Sequence, residues 1–264
     1  MKIKLMTYNV LHGFRKTKSP YQLEEERLKA AQKMIREVNP DVLGITEACY
    51  SVPNQFNILM DYRNLFNFKY SISCPSGPEW GGVLLSQHPI IDAQPISTQN
   101  GYGIRSKIMK EGKIIHVDLV HPKHDITEIN KMSLLELFLK NKPETYIILG
   151  DLNAYSDTDD YDRKKLIETF RTFNPENAES AVDILLERRL IPYIKSQNLL
   201  DVFGDSKELT IPTPKYSNGS STGARIDYIF HTPDIKVLSS EVIKREGAEI
   251  ASDHYPITAI LELK

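Results

Sequence analysis

The chain has little of what would commit it to a specialised class. Its 264 residues include two cysteines, Cys49 and Cys74, which share no ligand spacing such as C-x-x-C. A chain of this length needs no staple to hold a core, so both read as reduced, partly buried thiols rather than as a disulfide. There is no Cys-rich or H-E-x-x-H pattern of the kind that binds zinc. Charge of either sign is scarcely in excess: 33 Lys and Arg stand against 35 Asp and Glu, a formal net charge of −2. A dedicated nucleic-acid-binding domain usually carries a basic surplus, which leaves room here only for a local basic groove. No apolar run approaches the length of a membrane span. The opening run, residues 1–9, is too short and too interrupted by lysine for a signal h-region. Neither an apolar hairpin nor a basic amphipathic helix offers itself to a bilayer. The expectation is a soluble, cytoplasmic protein without stable membrane association.

What the chain does have is a recurring strand ending. The apolar run from Tyr146 to Leu149 breaks at Gly150 and delivers Asp151 and, two residues on, Asn153. Strand ends are where rigid scaffolds place chemistry. The run Leu5-Met6-Thr7-Tyr8 ends at Asn9, residues 42–46 end at Glu47, and residues 114–120 end at His121. One such ending is ordinary, whereas this repetition points to a common site.

Strands and helices alternate at first, and strands then dominate. Strand signals fall at 2–10, 41–47, 68–73, 81–86, 90–97, 102–109 and 113–121, with a hairpin turn expected at Glu111-Gly112. A helix over 23–38 puts Leu28, Ala31, Ile35 and Val38 on one face, and Asn39-Pro40 stops it. Asp125-Ile126-Thr127-Glu128 has the form of a capping box, with Asp125 as N-cap, opening a helix to about 139 that would bury Ile129, Met132, Leu135 and Leu139. Residues 157–198 read as mostly helical with Pro175 and Pro192 as interruptions, 210–223 as loop, and 225–230, 235–243 and 256–263 as closing strands. The surplus of strands over helices and the hairpins fit an α/β fold of two packed mixed β-sheets flanked by helices better than a doubly wound parallel sheet. No linker divides the chain, and candidate residues run from Asn9 to His254, so residues 1–264 are expected to form a single catalytic domain.

Near the end lies Ser252-Asp253-His254, and upstream Arg225-Ile226-Asp227 places a carboxylate in an apolar strand. Asp227 either forms a structural salt bridge with Arg225 or Lys236, or holds the His254 imidazole and raises its basicity. Taken in order, Thr7-Tyr8-Asn9-Val10-Leu11-His12-Gly13, Glu47, Gly81-Gly82-Val83-Leu84-Leu85-Ser86, His121, Gly150-Asp151-Leu152-Asn153, Arg225-Ile226-Asp227-Tyr228-Ile229 and Ser252-Asp253-His254 resemble the endonuclease/exonuclease/phosphatase superfamily across essentially the whole chain.

The resemblance implies a four-layer α/β/β/α sandwich and a divalent metal, Mg²⁺ with Mn²⁺ as a substitute. By the same resemblance Glu47 would be the main metal ligand, with Asn9 beside it and Asp253 as a further or outer ligand. Asp151 would orient or deprotonate the attacking water, and Asn153 would donate to the phosphate. His254, backed by Asp227, would meet phosphate oxygens or share proton transfer, and His121 would contact the scissile phosphate. A sparse Glu/Asp/Asn set suits Mg²⁺, which keeps several waters.

Substrate contacts are more open. Arg105 either pairs with a core carboxylate or faces the phosphate. Phe14-Arg15-Lys16 follows the Asn9 strand; it is either a solvated charged loop or a phosphate-contacting one, with Phe14 stacking on a base. Asp157, Asp159 and Asp160 would repel a polyanion unless they face away or cap a helix near Tyr161. Trp80, Tyr102 and Tyr155 would line a groove or simply pack, and His12 and His124 are taken as structural or peripheral. The leading expectation is a phosphodiesterase acting on nucleic acid, DNA first. The alternative is a phosphatase or phosphodiesterase for a small-molecule or lipid phosphate ester, motivated by the mild net charge and the acidic 157–160 loop.

Overall fold

The computed structural model describes residues 1–16, 19–49, 60–77, 80–171, 175–204, 206–217 and 222–264. Its strands form two six-stranded sheets. The first runs edge to edge β13 (Lys236–Val242), β14 (Ile257–Glu262), β1 (Lys2–Asn9), β4 (Val42–Cys49), β6 (Trp80–Ser86), β5 (Tyr70–Pro75). The second runs β11 (Leu200–Asp201), β12 (Asp227–His231), β10 (Tyr146–Asp151), β9 (Lys113–Pro122), β8 (Gly101–Lys110), β7 (Ile90–Thr98). A small ribbon pairs β2 (Arg15–Lys16) with β3 (Ser19–Leu23).

Each large sheet has one parallel pair at its centre, β1 with β4 and β9 with β10, and its other pairs are antiparallel. Parallel neighbours need a crossover. Helix α1 (Glu25–Val38) supplies it in the first sheet and α3 (Glu128–Leu139) in the second. The two parallel pairs therefore end at the same kind of edge, where the site is found.

The sheets pack face to face through one buried cluster that includes Leu5 and Ile45 of the first and Leu119 and Leu149 of the second. Gly44 allows the close approach: a Cβ there would lie 2.3 Å from Leu149 Cδ1 and 2.8 Å from Leu119 Cδ1. On the outside, α1 buries Leu28, Ala31, Met34, Ile35 and Val38 and lies beside α7 (Glu246–Ala251). Helix α3 and α6 (Leu190–Ser196) close over the second sheet, with Leu135, Phe138 and Ile194 clustered on Tyr146 and Ile148. The order is helix, sheet, sheet, helix, the four-layer α/β/β/α sandwich. Helix α2 (Tyr62–Leu65) is short, and α4 (Arg163–Arg171) and α5 (Ala178–Leu185) form a satellite cluster with Tyr155 and Ile226.

Several local expectations are met. Asn39 ends α1 in a left-handed conformation (φ 48°), its N–H bonded to Ile35 O at 2.8 Å, and Pro40 follows. Glu111 and Gly112 turn the β8–β9 hairpin with φ of 51° and 74°, the left-handed pair that a tight hairpin requires. Both cysteines are buried, as thiols and not as a disulfide with each other. Others need correction. The capping box does not form: Thr127 is the N-cap of α3, and Glu128 turns inward to accept from Lys131 Nζ (3.0 Å) and the Leu190 amide (2.9 Å). A buried charged pair gains more from those bonds than from an exposed cap. Ile129 is 56% exposed, because the buried stripe of α3 is instead Leu134, Leu135, Phe138 and Leu139. Pro192 does not interrupt a helix. It sits in the first turn of α6, where its missing N–H would have had no helical partner.

Gly150 makes the turn into the site possible. Its φ is 147°, and a Cβ would meet Val120 O at 1.9 Å. Gly150→Ala is expected to destabilise the fold by roughly 3 kcal/mol or more through overpacking and backbone strain. Denaturant titration measures this, and an unchanged midpoint would contradict so close an approach.

Candidate active site

Both parallel pairs deliver polar residues to one end of the sandwich. Asn9 closes β1, His121 lies at the end of β9 and Asp151 closes β10. Antiparallel neighbours start at the same end: Asp227 opens β12 opposite Asp151, and His254 stands just before β14. Strand β4 does not stop at Glu47, as expected from the sequence, but runs to Cys49 with a register break between Ile45 and Ala48. Glu47 sits in that break with a left-handed backbone, φ 54°. A bulge of this kind re-aims a side chain out of the strand's alternation. Its amide donates to Tyr102 Oη at 2.9 Å.

Asn9 bridges the two sheets. Its Nδ2 donates to Glu47 Oε1 at 3.0 Å and to Asp151 Oδ2 at 2.9 Å, while its Oδ1 accepts the Leu11 amide at 3.0 Å. Asn9 thus clamps two carboxylates through its NH₂, while the Leu11 amide takes one of the two lone pairs of Oδ1. Asp151 Oδ1 accepts the Asn153 amide at 2.8 Å. Asn153 (φ 47°) donates from Nδ2 to Pro122 O at 3.0 Å, and its carbonyl accepts from the buried Lys131 Nζ at 2.5 Å. His121 Nδ1 lies 3.0 Å from Asp151 O. A carbonyl only accepts, so the proton is on Nδ1. Its ring packs 5.1 Å from that of Tyr102.

His254 Nδ1 donates to Asp227 Oδ2 at 2.8 Å, and its Nε2 lies 3.9 Å from Asp151 Oδ2 and 4.0 Å from Asp253 Oδ1. Asp227 Oδ1 is buried and accepts no hydrogen bond among the described residues. Burial by itself would lower the basicity of His254, but Asp227, Asp253 and Asp151 together lift its pKa well above the ordinary histidine value, which favours the imidazolium. Burial and the Asp227 charge raise the Asp151 carboxyl, against the pull of His254 and His121. Burial and the Glu47 charge likewise raise Asp253, against His254. Burial also opposes ionisation of Glu47, yet His121, the Asn9 amide and two further histidines hold its carboxyl below the usual range.

Other expected contacts fall elsewhere. Tyr102 reaches Glu47 on the side of β8 that faces the other sheet, so Arg105, three residues on, projects from the opposite side. There its Nη2 donates to Leu137 O and Phe138 O (2.8 and 2.9 Å), and its Nε lies 3.7 Å from Asp118. Arg105 is thus a core partner and does not face the phosphate. Arg15 is buried with its guanidinium 5.0 Å from the Trp80 ring, and Phe14 is buried against Phe66. Neither can meet substrate from solvent; of the three, Lys16 alone is exposed, 3.2 Å from Gln22 Oε1. Arg225 pairs with Asp201, leaving Asp227 to His254. Asp157 bonds Lys195 at 2.7 Å, Asp159 is buried under Tyr161, and Tyr155 is buried.

Sequence reasoning missed Arg27. Fully buried, it donates to Ala251 O, Arg15 O, Val10 O and Leu11 O at 2.8–2.9 Å. It thereby ties the loop after Asn9 to the loop before Asp253. Leu11, His12, Gly13 and Phe14 form a left-handed turn in that loop, with φ of 43°, 52°, 58° and 62°. Such a conformation costs roughly 1–2 kcal/mol per non-glycine residue, and the Arg27 bonds help to offset it. The only signal in the sequence is the place of Arg27 on the apolar stripe of α1, one turn before Ala31.

Asp118, beside Arg105, supplies a pH handle away from the site. Burial pushes its carboxyl up to about 6, restrained by the Tyr146 hydroxyl (2.7 Å) and the Ser106 amide (3.0 Å). A carboxyl that holds its proton more tightly when folded contributes stability fully below its unfolded value of 3.8 and loses it as pH rises through about 6. Asp118→Asn keeps an oxygen for the Ser106 amide. It is expected to flatten that decline and to stabilise the protein at pH 8 by about 1–2 kcal/mol, measured by urea unfolding at pH 4.5 and 8. An undiminished pH dependence would assign the titration to another group.

Glu47, His121 and Asp151 bring one ligand atom each within 4.8 Å of one another, and Asp151, Asp227 and His254 do the same. Carboxylate oxygens and imidazole without thiolate suit a hard divalent cation. The raised Asp151 and Asp253 carboxyls mark crowded negative charge that such a cation would relieve. The residues present therefore fit the metal expected from the resemblance.

Comparison with known proteins gives the family and the fold. The model of the "Endonuclease/Exonuclease/phosphatase family" matches residues 6–254, and the chain belongs to that family, one of metal-dependent phosphoesterases. Nothing among curated proteins matches it by sequence. An endonuclease/exonuclease/phosphatase from Beutenbergia cavernae shares the fold with a TM-score of 0.70 at 20% identity, over 99% of this chain and 72% of that one. Danio rerio TDP2 complexed with single-strand DNA product gives 0.66 at 16% identity, over 99% of both chains. The human Nocturnin catalytic domain with bound sulfate gives 0.61 at 15% identity, over 100% of this chain and 94% of that one. No helix among the described residues is long and apolar enough to cross a membrane.

Proposed function

We propose that the chain is a single-domain, Mg²⁺-dependent phosphodiesterase that hydrolyses phosphodiester bonds in nucleic acid, DNA above all. The observation that carries the reading is His254, which reaches across the seam between the sheets to Asp227 and faces Asp151, with Glu47 tied to Asp151 through Asn9. Glu47 and Asp253 would hold the cation, with Asp151 and His121 at hand, and when bound it neutralises phosphoryl charge and acidifies water. Asp151 orients the attacking water and takes its proton, its carboxylate held by Asn9 and Asn153. The His254 imidazolium donates from Nε2 to a phosphoryl oxygen, and Asp227 keeps it charged. Asn153 spends one of its two amide hydrogens on Pro122 O, which leaves the other for the phosphate. His121, anchored through Nδ1, keeps Nε2 to take up a proton from solvent and pass it to the leaving oxygen.

A second reading, a small-molecule or lipid phosphate ester as substrate, draws on the burial of Arg15 and Phe14, which removes two of the contacts expected for a polynucleotide. The test is a panel of end-labelled single- and double-stranded DNA, RNA and small phosphate esters, with Mg²⁺, Mn²⁺ or chelator and with Glu47→Gln as control. Metal-dependent DNA cleavage lost in Glu47→Gln is the expected result. Turnover confined to small esters transfers the assignment to the second reading, and turnover of nothing overturns both.

A further inference from the structure

His12 lies outside the set proposed for the chemistry, yet its backbone amide donates to Glu47 Oε2 at 3.0 Å. The contact brings the residue to the rim of the carboxylate cluster. Its imidazole is exposed, while Phe14 two residues on is buried. Behind it, the His12 and Trp80 rings meet edge to face with centroids 5.1 Å apart, and the buried Arg15 guanidinium lies 5.0 Å from the Trp80 ring. The three side chains thus form a run of contacts that starts inside the protein with a cation and ends at the surface with an aromatic ring. The left-handed turn from Leu11 to Phe14 that presents His12 is strained, and Arg27 holds it from below through Val10 O, Leu11 O and Arg15 O. Strain held in place by a buried network is a mark of a positioned group. The His12 ring is thereby a flat surface at the rim of the cluster.

We propose that His12, stiffened by Trp80 and Arg15, is a stacking platform for the nucleobase that flanks the scissile phosphate. This deepens the reading of the chain as a nucleic-acid phosphodiesterase and rests on it. A base has a π-face whatever its identity, so a platform of this kind would bind without strong sequence preference and would favour a strand whose bases are unpaired. It would also separate a nucleic acid from a phosphate ester that has no aromatic group.

Trp80 is the only tryptophan in the chain, so its emission reports on this run of contacts alone. The parent protein in chelator is titrated with a short oligodeoxythymidylate and with an abasic strand of the same length, which carries the same sugars and phosphates without bases. Saturable change in Trp80 emission with the base-bearing strand and little with the abasic one is expected. Equal changes with both, or none with either, overturn the platform. In steady-state cleavage His12→Ala is expected to raise KM for the base-bearing strand roughly tenfold with kcat within about a factor of two, and to leave the abasic strand unaffected. A matching rise for the abasic strand would mean that His12 touches phosphate instead. Continued DNA cleavage by a protein whose Trp80 never responds would sink the platform and leave the proposed function standing. Absence of DNA cleavage by the parent would sink both.

Discussion

The Asp151→Asn protein is expected to cleave a phosphodiester about a thousandfold more slowly than the parent while remaining folded. Asparagine keeps the shape and can still receive the Asn153 amide on its oxygen. It cannot take a proton from water, and its own NH₂ would face the Asn9 Nδ2 that now lies 2.9 Å from Asp151 Oδ2. The fold should survive because burial already works against the Asp151 charge. Removing that charge relieves repulsion from Asp227 even as it breaks the clamp. Single-turnover rates and a thermal melt measured together distinguish the outcomes. A rate within tenfold of the parent would remove Asp151 from proton transfer, and a collapsed melt would assign it to structure.

Asp227→Asn is expected to lose roughly two to three orders of magnitude in kcat at pH 8 and less at pH 6. Asp227 is the largest of the contributions that lift the His254 pKa. Without it the imidazolium gives up its proton at lower pH, so the alkaline limb of the rate profile moves toward acid. Stability should move the other way. A histidine raised by folding contributes fully below its unfolded value of 6.5, and the contribution fades as pH rises through the folded value. The stability lost in Asp227→Asn is therefore largest at pH 6, where the loss of rate is smallest. Opposite trends in melts and rates across pH 6–9 would identify an ion pair serving the site, and parallel trends would mean that the rate merely follows the folded fraction.

Much of this arrangement was legible in the chain because glycine, proline and asparagine punctuate it sharply. Asn39-Pro40 and Glu111-Gly112 mark their turns by backbone chemistry that needs no tertiary context. The polar residues that end apolar runs are also visible without a structure, and the fold brings Asn9, Glu47, His121 and Asp151 to one edge. Facing was not legible. Whether Arg105 points at the phosphate or at α3 depends on which side of β8 meets the other sheet, and a strand alternating on both sides does not declare that. Arg15 reads as surface charge until the Trp80 ring closes over it. Glu128 reads as a cap until Lys131 and the Leu190 amide, remote in sequence or hidden in α3, compete for it. The turn that carries His12 was not legible either, because nothing in the sequence announces a left-handed turn containing only one glycine among four residues.

The leucines that seat against Gly44 have a bearing on how the molecule could be inactivated. Asn9, Glu47, Asp253 and His254 ride on one sheet and its loops, whereas His121, Asp151, Asn153 and Asp227 ride on the other. Neither sheet owns a complete set, so the reactive geometry is a vernier reading of how one slab is aligned on its neighbour. Hydrostatic pressure or a mild denaturant that lets the slabs slip by an ångström or two could silence the protein while every strand remained hydrogen-bonded to its own sheet. Turnover would then register loosening of the seam earlier than circular dichroism registers loss of strands.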